Sequence, residues 1–293
     1  MRKDSLDGVG FATVLAVTLL LAVNQIIVKE VNQGLQPVFF AGLRSALAIA
    51  FVWVFLKWRG LTARVRMSDL GPGLLIGAIF AAEFLCLFIA LDLTLVSRAS
   101  VIFYSMPVWM GLLGHFFLPG ERLNAVRALG LLLAFLGTAW AIVSRPAGAG
   151  EASLLGDILA LGAAWGWAGT AFLARKTRLR EAGPEAQLFW MVAVSAPILL
   201  LAAPFFGPLI REIEPAHWGW LLFQSSIVVA GGFVAWLWLL SVYPTATVAS
   251  FSFLTPLFAI LLGYILYAEP LTLPLAVAFL LVASGIILIN RRG

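Results

Sequence analysis

The chain has 293 residues, of which 62% are hydrophobic and only 11% charged, with a mean hydropathy of +1.02 and a formal net charge of +5. A water-soluble domain carries about 25% charged residues and cannot hide this much apolar surface, so soluble enzymes and soluble nucleic-acid binders are excluded. Its one cysteine, Cys86, forbids an intrachain disulfide, and the sequence calls for no metal and no cofactor.

Apolar runs long enough to cross roughly 30 Å of hydrocarbon fall at 9–28, 37–56, 70–91, 98–118, 126–143, 154–174, 186–206, 217–240, 246–267 and 273–290. Ten short-linked runs predict an all-α integral membrane protein with ten transmembrane helices. The first run follows Arg2 and Lys3 as a signal peptide would, but it lacks a small-x-small cleavage site, so a retained helix is expected. It carries Asn24 and Gln25, amides that serve equally as helix–helix glue or as ligand contacts. The second run contains Arg44, too deep to stand alone, for which a structural pairing is expected.

Glu83 lies in the middle of the third run, one turn after Phe80. A carboxylate there must face the protein interior. It is a candidate ligand for a substrate ammonium, a candidate site for a coupling proton, or a structural partner of Arg44 or Asn24. Asp92 and Arg98 bracket the next turn, where they are expected to pair or to meet water. Tyr104 and Trp109 flank Pro107 in the fourth run, as Phe253 precedes Pro256 in the ninth. Each proline removes a backbone donor, which predicts kinks near 103–106 and 252–255 and makes Pro107 and Pro256 the candidate hinges. His115 is a conceivable proton relay or a buried neutral histidine. Trp165 and Trp167 sit deep in the sixth run, Trp236 and Trp238 in the eighth. An aromatic pocket of Phe80, Tyr104, Trp109, Trp165, Trp167, Trp236 and Phe253, with Asn24 and Glu83, suits a zwitterion bearing an apolar side chain.

Of the Lys and Arg residues, 14 fall on the side shared by both termini and 4 on the other, with Arg44 inside a span. The positive-inside rule then places both termini in the cytoplasm of a multi-pass protein of the cell (inner) membrane, and the net charge reads as topology rather than nucleic-acid binding.

The chain also repeats itself. Pro107 aligns with Pro256, Gly114 with Gly263, Glu121 with Glu269, Gly137 with Gly285, Gly10 with Gly156, Asn24 with Thr170 and Pro37 with Pro184. Two halves, 1–147 and 148–293, each hold five runs. Five is odd, so the halves are expected to be inverted about an axis in the membrane plane, with substrate between them. Glu121 and Glu269 then lie at opposite faces, as structural charges alongside Arg44.

The segments SRASVIFYSMPVWMGLLGHFFLPGERL and TATVASFSFLTPLFAILLGYILYAEPL resemble the EamA repeat of the drug/metabolite transporter superfamily. Gly120-Glu121-Arg122-Leu123 matches its closing tetrad, Ala268-Glu269-Pro270-Leu271 is a looser copy, and Arg44 in Leu43-Arg44-Ser45-Ala46-Leu47 fits its second-span arginine. The resemblance covers nearly the whole chain as two tandem EamA units. It implies an exporter of small metabolites, similar to bacterial amino-acid exporters including those for aromatic amino acids. Glu83 departs from the family pattern.

The expected function is export of small organic metabolites, amino acids and aromatic ones foremost, by alternating access between the halves. The expected partners are a small-molecule substrate, the lipid bilayer and, as a candidate, protons, with no nucleic acid; a monomer is expected. The alternative is a proton-coupled transporter of a cationic or other small metabolite or drug. An intramembrane enzyme ranks last, because the chain has no DDxxD-type cluster, HExxH or GxSxG. A channel lacks a carbonyl-ring filter or acidic ring.

Overall fold

A computed structural model describes residues 7–58, 60, 67–118, 123–144, 153–243, 248 and 251–289. Apart from one bridge between Leu35 and Ile210, the described residues form helices and their connections. In chain order these are α1 (Gly8–Gly34), α2 (Pro37–Trp58), α3 (Leu70–Leu93), α4 (Val96–Phe103), α5 (Met106–Phe117), α6 (Ala125–Val143), α7 (Leu154–Lys176), the single turn α8 (Leu179–Ala182) and α9 (Pro184–Ala202). Then come α10 (Pro215–Phe223), a π-helical segment (Gln224–Gly231), α11 (Gly232–Val242), α12 (Leu254–Tyr267) and α13 (Leu273–Ile289). Among the described residues, seven stretches are long and apolar enough to cross a membrane: α1, α2, α3, α4 with α5, α6, α7 and Glu185–Phe206. Two shorter apolar helices are Phe251–Tyr267 and Leu273–Ile289. The π segment joins α10 to α11 with no loop between them.

Boundaries differ from the hydropathy reading where polar residues find partners inside the protein. α1 runs on to Gly34 because Lys29 Nζ donates to Thr94 O (3.3 Å) and Asn32 Nδ2 to Phe88 O (2.9 Å). The fourth run is interrupted: α4 stops at Phe103, Tyr104 and Ser105 form a turn, and α5 restarts with Pro107 in its first turn. Proline is tolerated there because a first-turn N–H has no helical acceptor. In the ninth run a 3₁₀ turn, Phe251–Phe253, leads into α12 shortly before Pro256.

Small residues set the tightest contacts. A Cβ added to Gly285 of α13 would stand 2.5 Å from Gly130 O of α6, so the two backbones touch. α3 packs against α7 and α9, α2 against α9 and the π segment, α1 against α12 and α11, α7 against α4 and α5, and α6 against α13.

The end of the bundle where α1 meets α2, here the distal end, is tied together by paired charges. Arg98 Nη2 donates to Asp157 Oδ2 (2.7 Å) and to Ala141 O, while Nη1 reaches Ser144 O (3.2 Å); the two side chains are 4% and 0% exposed. Asp92 pairs instead with Arg211 (2.8 Å), which also donates to Asn32 O (2.7 Å). The expected Asp92–Arg98 pairing is therefore corrected. α4 starts at Val96 and carries Arg98 inward, to a carboxylate in the first turn of α7. Glu269 is buried and accepts from the N–H groups of Val96 (2.7 Å) and Ser97 (2.9 Å), with Lys29 Nζ 3.8 Å away. It caps α4, satisfying orphan donors and the positive end of the helix dipole. Its repeat partner Glu121 lies outside the described residues, as does the junction of the halves at 147–148.

Asp157→Ala leaves the Arg98 guanidinium buried without its counter-charge, which costs about 3–5 kcal/mol. Thermal unfolding of the purified variant in detergent is expected to show a large fall in Tm; an unchanged Tm would show that the pair does not hold this end together.

Candidate functional site

Helix register places one polar layer near mid-bundle. The Asn32–Phe88 bond fixes α1 against α3. Seven residues towards the opposite, proximal end, about 10.5 Å at 1.5 Å per residue, stand Gln25 on α1 and Ala81 on α3, within a turn of Glu83. Gln224 Nε2 donates to Asn24 O (3.2 Å), bringing the start of the π segment to the same level. Ser225 Oγ lies 3.4 Å from Arg44 O, adding α2.

This layer gathers several of the buried side-chain atoms that lack a hydrogen-bond partner among the described residues: Asn24 Oδ1, Gln25 Oε1, Arg44 Nε, Glu83 Oε2 and Gln224 Oε1. An unmet buried polar group costs about 1–3 kcal/mol, and most buried polar groups are paired. Such a concentration at one depth makes this layer the candidate site.

Arg44 and Glu83 are the charges of the layer, both buried. The Arg44 guanidinium lies over the Phe84 ring at 4.0 Å and the Phe88 ring at 5.1 Å, a cation–π stack on one face of α3. Phe80 extends that stripe, edge-on to Phe84 at 4.4 Å. Glu83 sits in the seam between α3 and α7, where a Cβ on Gly166 would come within 2.7 Å of the Glu83 Cβ. Thr170, also on α7, neighbours the carboxyl. Arg44 and Glu83 feel each other's charge but form no ion pair within 4.0 Å. Two opposite charges therefore stand at one depth without bridging each other.

The remaining sequence candidates are spread around this layer. Tyr104 is buried at the α4–α5 break, next to Thr255 of α12. Trp109 Nε1 donates to Ser105 Oγ (3.2 Å), and its ring meets Trp165 edge-on at 5.4 Å. Trp165 is 54% exposed, on the outside of the bundle. Trp167 and Phe253 pack partly buried against the main core. Trp236 joins Val14, Val17 and Tyr243 in a separate cluster at the proximal end. His115 Nδ1 accepts from the Leu123 N–H (3.2 Å). Gln224 and Ser225 are absent from the sequence candidates. Their one signal was a polar Gln-Ser-Ser triplet within an apolar run.

Comparison with known proteins now decides the family. The EamA-like transporter family profile matches twice, at residues 8–143 and 154–291. The chain belongs to the EamA-like transporter family. It is 30% identical to the uncharacterized transporter YvbV of Bacillus subtilis (strain 168), over 88% of this chain and 83% of that protein. It is 27% identical to a probable amino-acid metabolite efflux pump of Escherichia coli (strain K12), over 91% of this chain and 88% of the relative. A solved crystal structure, 20% identical, superposes with a TM-score of 0.67 over 94% of this chain and 95% of its own. This EamA-like protein is thus a multi-pass membrane transporter acting on a small molecule.

Because Arg44 and Glu83 share one poorly solvated layer, neutralising either alone strands the other. A double-mutant cycle of Arg44→Met and Glu83→Gln, read by thermal unfolding, is expected to show coupling of about 1–3 kcal/mol; additive effects would mean that the charges do not interact.

Proposed function

We propose that this transporter exports amino acids by alternating access, holding the zwitterion between Arg44 and Glu83. The observation that carries the reading is the buried, unbridged pair of opposite charges, each with an unmet polar atom. In this reading the substrate carboxylate meets the planar guanidinium of Arg44, whose fork suits carboxylates. The ammonium meets Glu83, and an apolar side chain lies along Phe80, Phe84 and Tyr104. The name of the Escherichia coli relative supports an amino-acid cargo.

The architecture proposed is ten spans in two inverted halves, 1–147 and 148–293. The continuous α10–π–α11 stretch would add the tenth span to the seven long and two shorter apolar helices. Its contacts support the inversion. α1 on α12 mirrors α7 on α4 and α5; α3 on α9 mirrors the π segment on α2; α3 on α7 mirrors α11 on α1. The pairs α2–α9 and α6–α13 are their own mirror images. The breaks before Pro107 and Pro256 are then the matched joints of the rocking motion. The basic excess at the proximal end supports cytoplasmic termini, which makes the distal end the outer one.

Purified protein in liposomes is expected to show saturable counterflow of labelled phenylalanine or leucine. Arg44→Met and Glu83→Gln should each reduce it by at least about tenfold, the loss of one charge-assisted contact. Absence of saturable flux across a broad amino-acid panel would sink the proposal. If Glu83→Gln instead retains downhill exchange and loses only proton-driven accumulation, Glu83 carries a proton rather than the ammonium.

A further inference from the structure

The π segment is the feature of the layer that the repeat does not explain. Its counterpart by repeat offset, the region of α3 around Gly77, is ordinary α-helix. π-helical turns are rare and occur mostly at functional sites. Here the turn opens with Gln224 and Ser225, both fully buried. Ser225 Oγ donates to Leu221 O (2.8 Å), occupying its proton within its own helix.

The orientation of the Gln224 amide is fixed by chemistry. Its Nε2 donates to Asn24 O at 3.2 Å, and a flipped amide would set two oxygens against each other. Oε1 is therefore the atom left with no donor to meet it. Asn24 Oδ1, Gln25 Oε1 and Glu83 Oε2 are in the same condition and at the same depth. All four are acceptors. They call for hydrogen-bond donors, and Glu83 calls for a positive charge; a primary ammonium supplies both.

We infer that Gln224 is a specificity-determining residue whose Oε1, with the amide oxygens of Asn24 and Gln25, recognises a primary ammonium group and rejects N-methylated ones. The inference rests on the proposal that cargo binds in this layer. Glu83 supplies charge, which a quaternary ammonium would satisfy equally well. The amide oxygens supply the discrimination, because a primary ammonium has three donors and a trimethylammonium none. A site built around hydrogen bonds to its guest penalises an analogue that leaves buried acceptors unmet.

The test compares two probe pairs on the full-length protein by binding titration: phenylalanine against its N,N,N-trimethyl derivative, and 2-phenylethylamine against its N,N,N-trimethyl derivative. The primary amine is expected to bind at least about tenfold tighter within a pair. Gln224→Met should shrink that ratio to about threefold or less by weakening the primary amine, while trimethyl binding stays unchanged and reports an intact fold. Ser226→Ala, on the same turn but with its hydroxyl on Leu222 O, should behave as the parent protein. If the parent protein prefers the primary amine in neither pair, or Gln224→Met keeps the full preference, the inference is overturned. Discrimination within the 2-phenylethylamine pair without phenylalanine binding would overturn the zwitterion proposal and leave this inference standing. Phenylalanine binding without discrimination does the reverse.

Discussion

A charge withdrawn from water must be answered by the protein itself, and this transporter meets that constraint in two contrasting ways. At the distal end the answer is complete. Arg98 has a carboxylate and two carbonyls, and Glu269 has two helix N–H groups with Lys29 nearby. At mid-bundle the answer is incomplete. Arg44 rests on aromatic faces, Glu83 leans on glycine and threonine, and neither reaches the other. Saturated charges hold helices together, whereas an unsaturated buried charge is held at a cost in stability. The scaffold and the candidate site are thus the same physics carried to different degrees of completion.

The contrast follows the repeat. Residues that recur in both halves build the frame: Pro107 with Pro256 at the helix breaks, Gly137 with Gly285 at the α6–α13 contact. Residues that break the repeat gather at the polar layer. Glu83 has no acidic counterpart, and Gln224 opens a π turn where the matching helix is regular. Duplication recurs in the frame, and the chemistry of the layer departs from it.

Much of the fold was legible because hydrocarbon thickness, proline and charge leave strong marks in sequence. The apolar runs, the break before Pro107 and the interior placement of Arg44 and Glu83 needed only length and solvation arguments. Rotation about each helix axis was not legible. These helices are apolar nearly all round, so periodicity does not say which face looks inward. Trp165 reads the same as Trp167, yet one is largely exposed and the other packs on the core. The partner of Arg98 was hidden for a related reason. Asp157 lies 59 residues away, and only the packing of α4 on α7 brings the two together. Gln224 left only the polar Gln-Ser-Ser triplet in an apolar run, and a triplet of that kind does not reveal a π turn.

Two of the ion pairs at the distal end differ in one respect that bears on the protein's surroundings. Arg211 and Asp92 are 37% and 20% exposed, within reach of dissolved ions. Arg98 and Asp157 are shut away from them. Mobile salt screens the first kind of pair and hardly touches the second. Added salt would therefore loosen the rim of this end without loosening its bolt. The stability of this end is set inside the protein and not by the ionic strength around it.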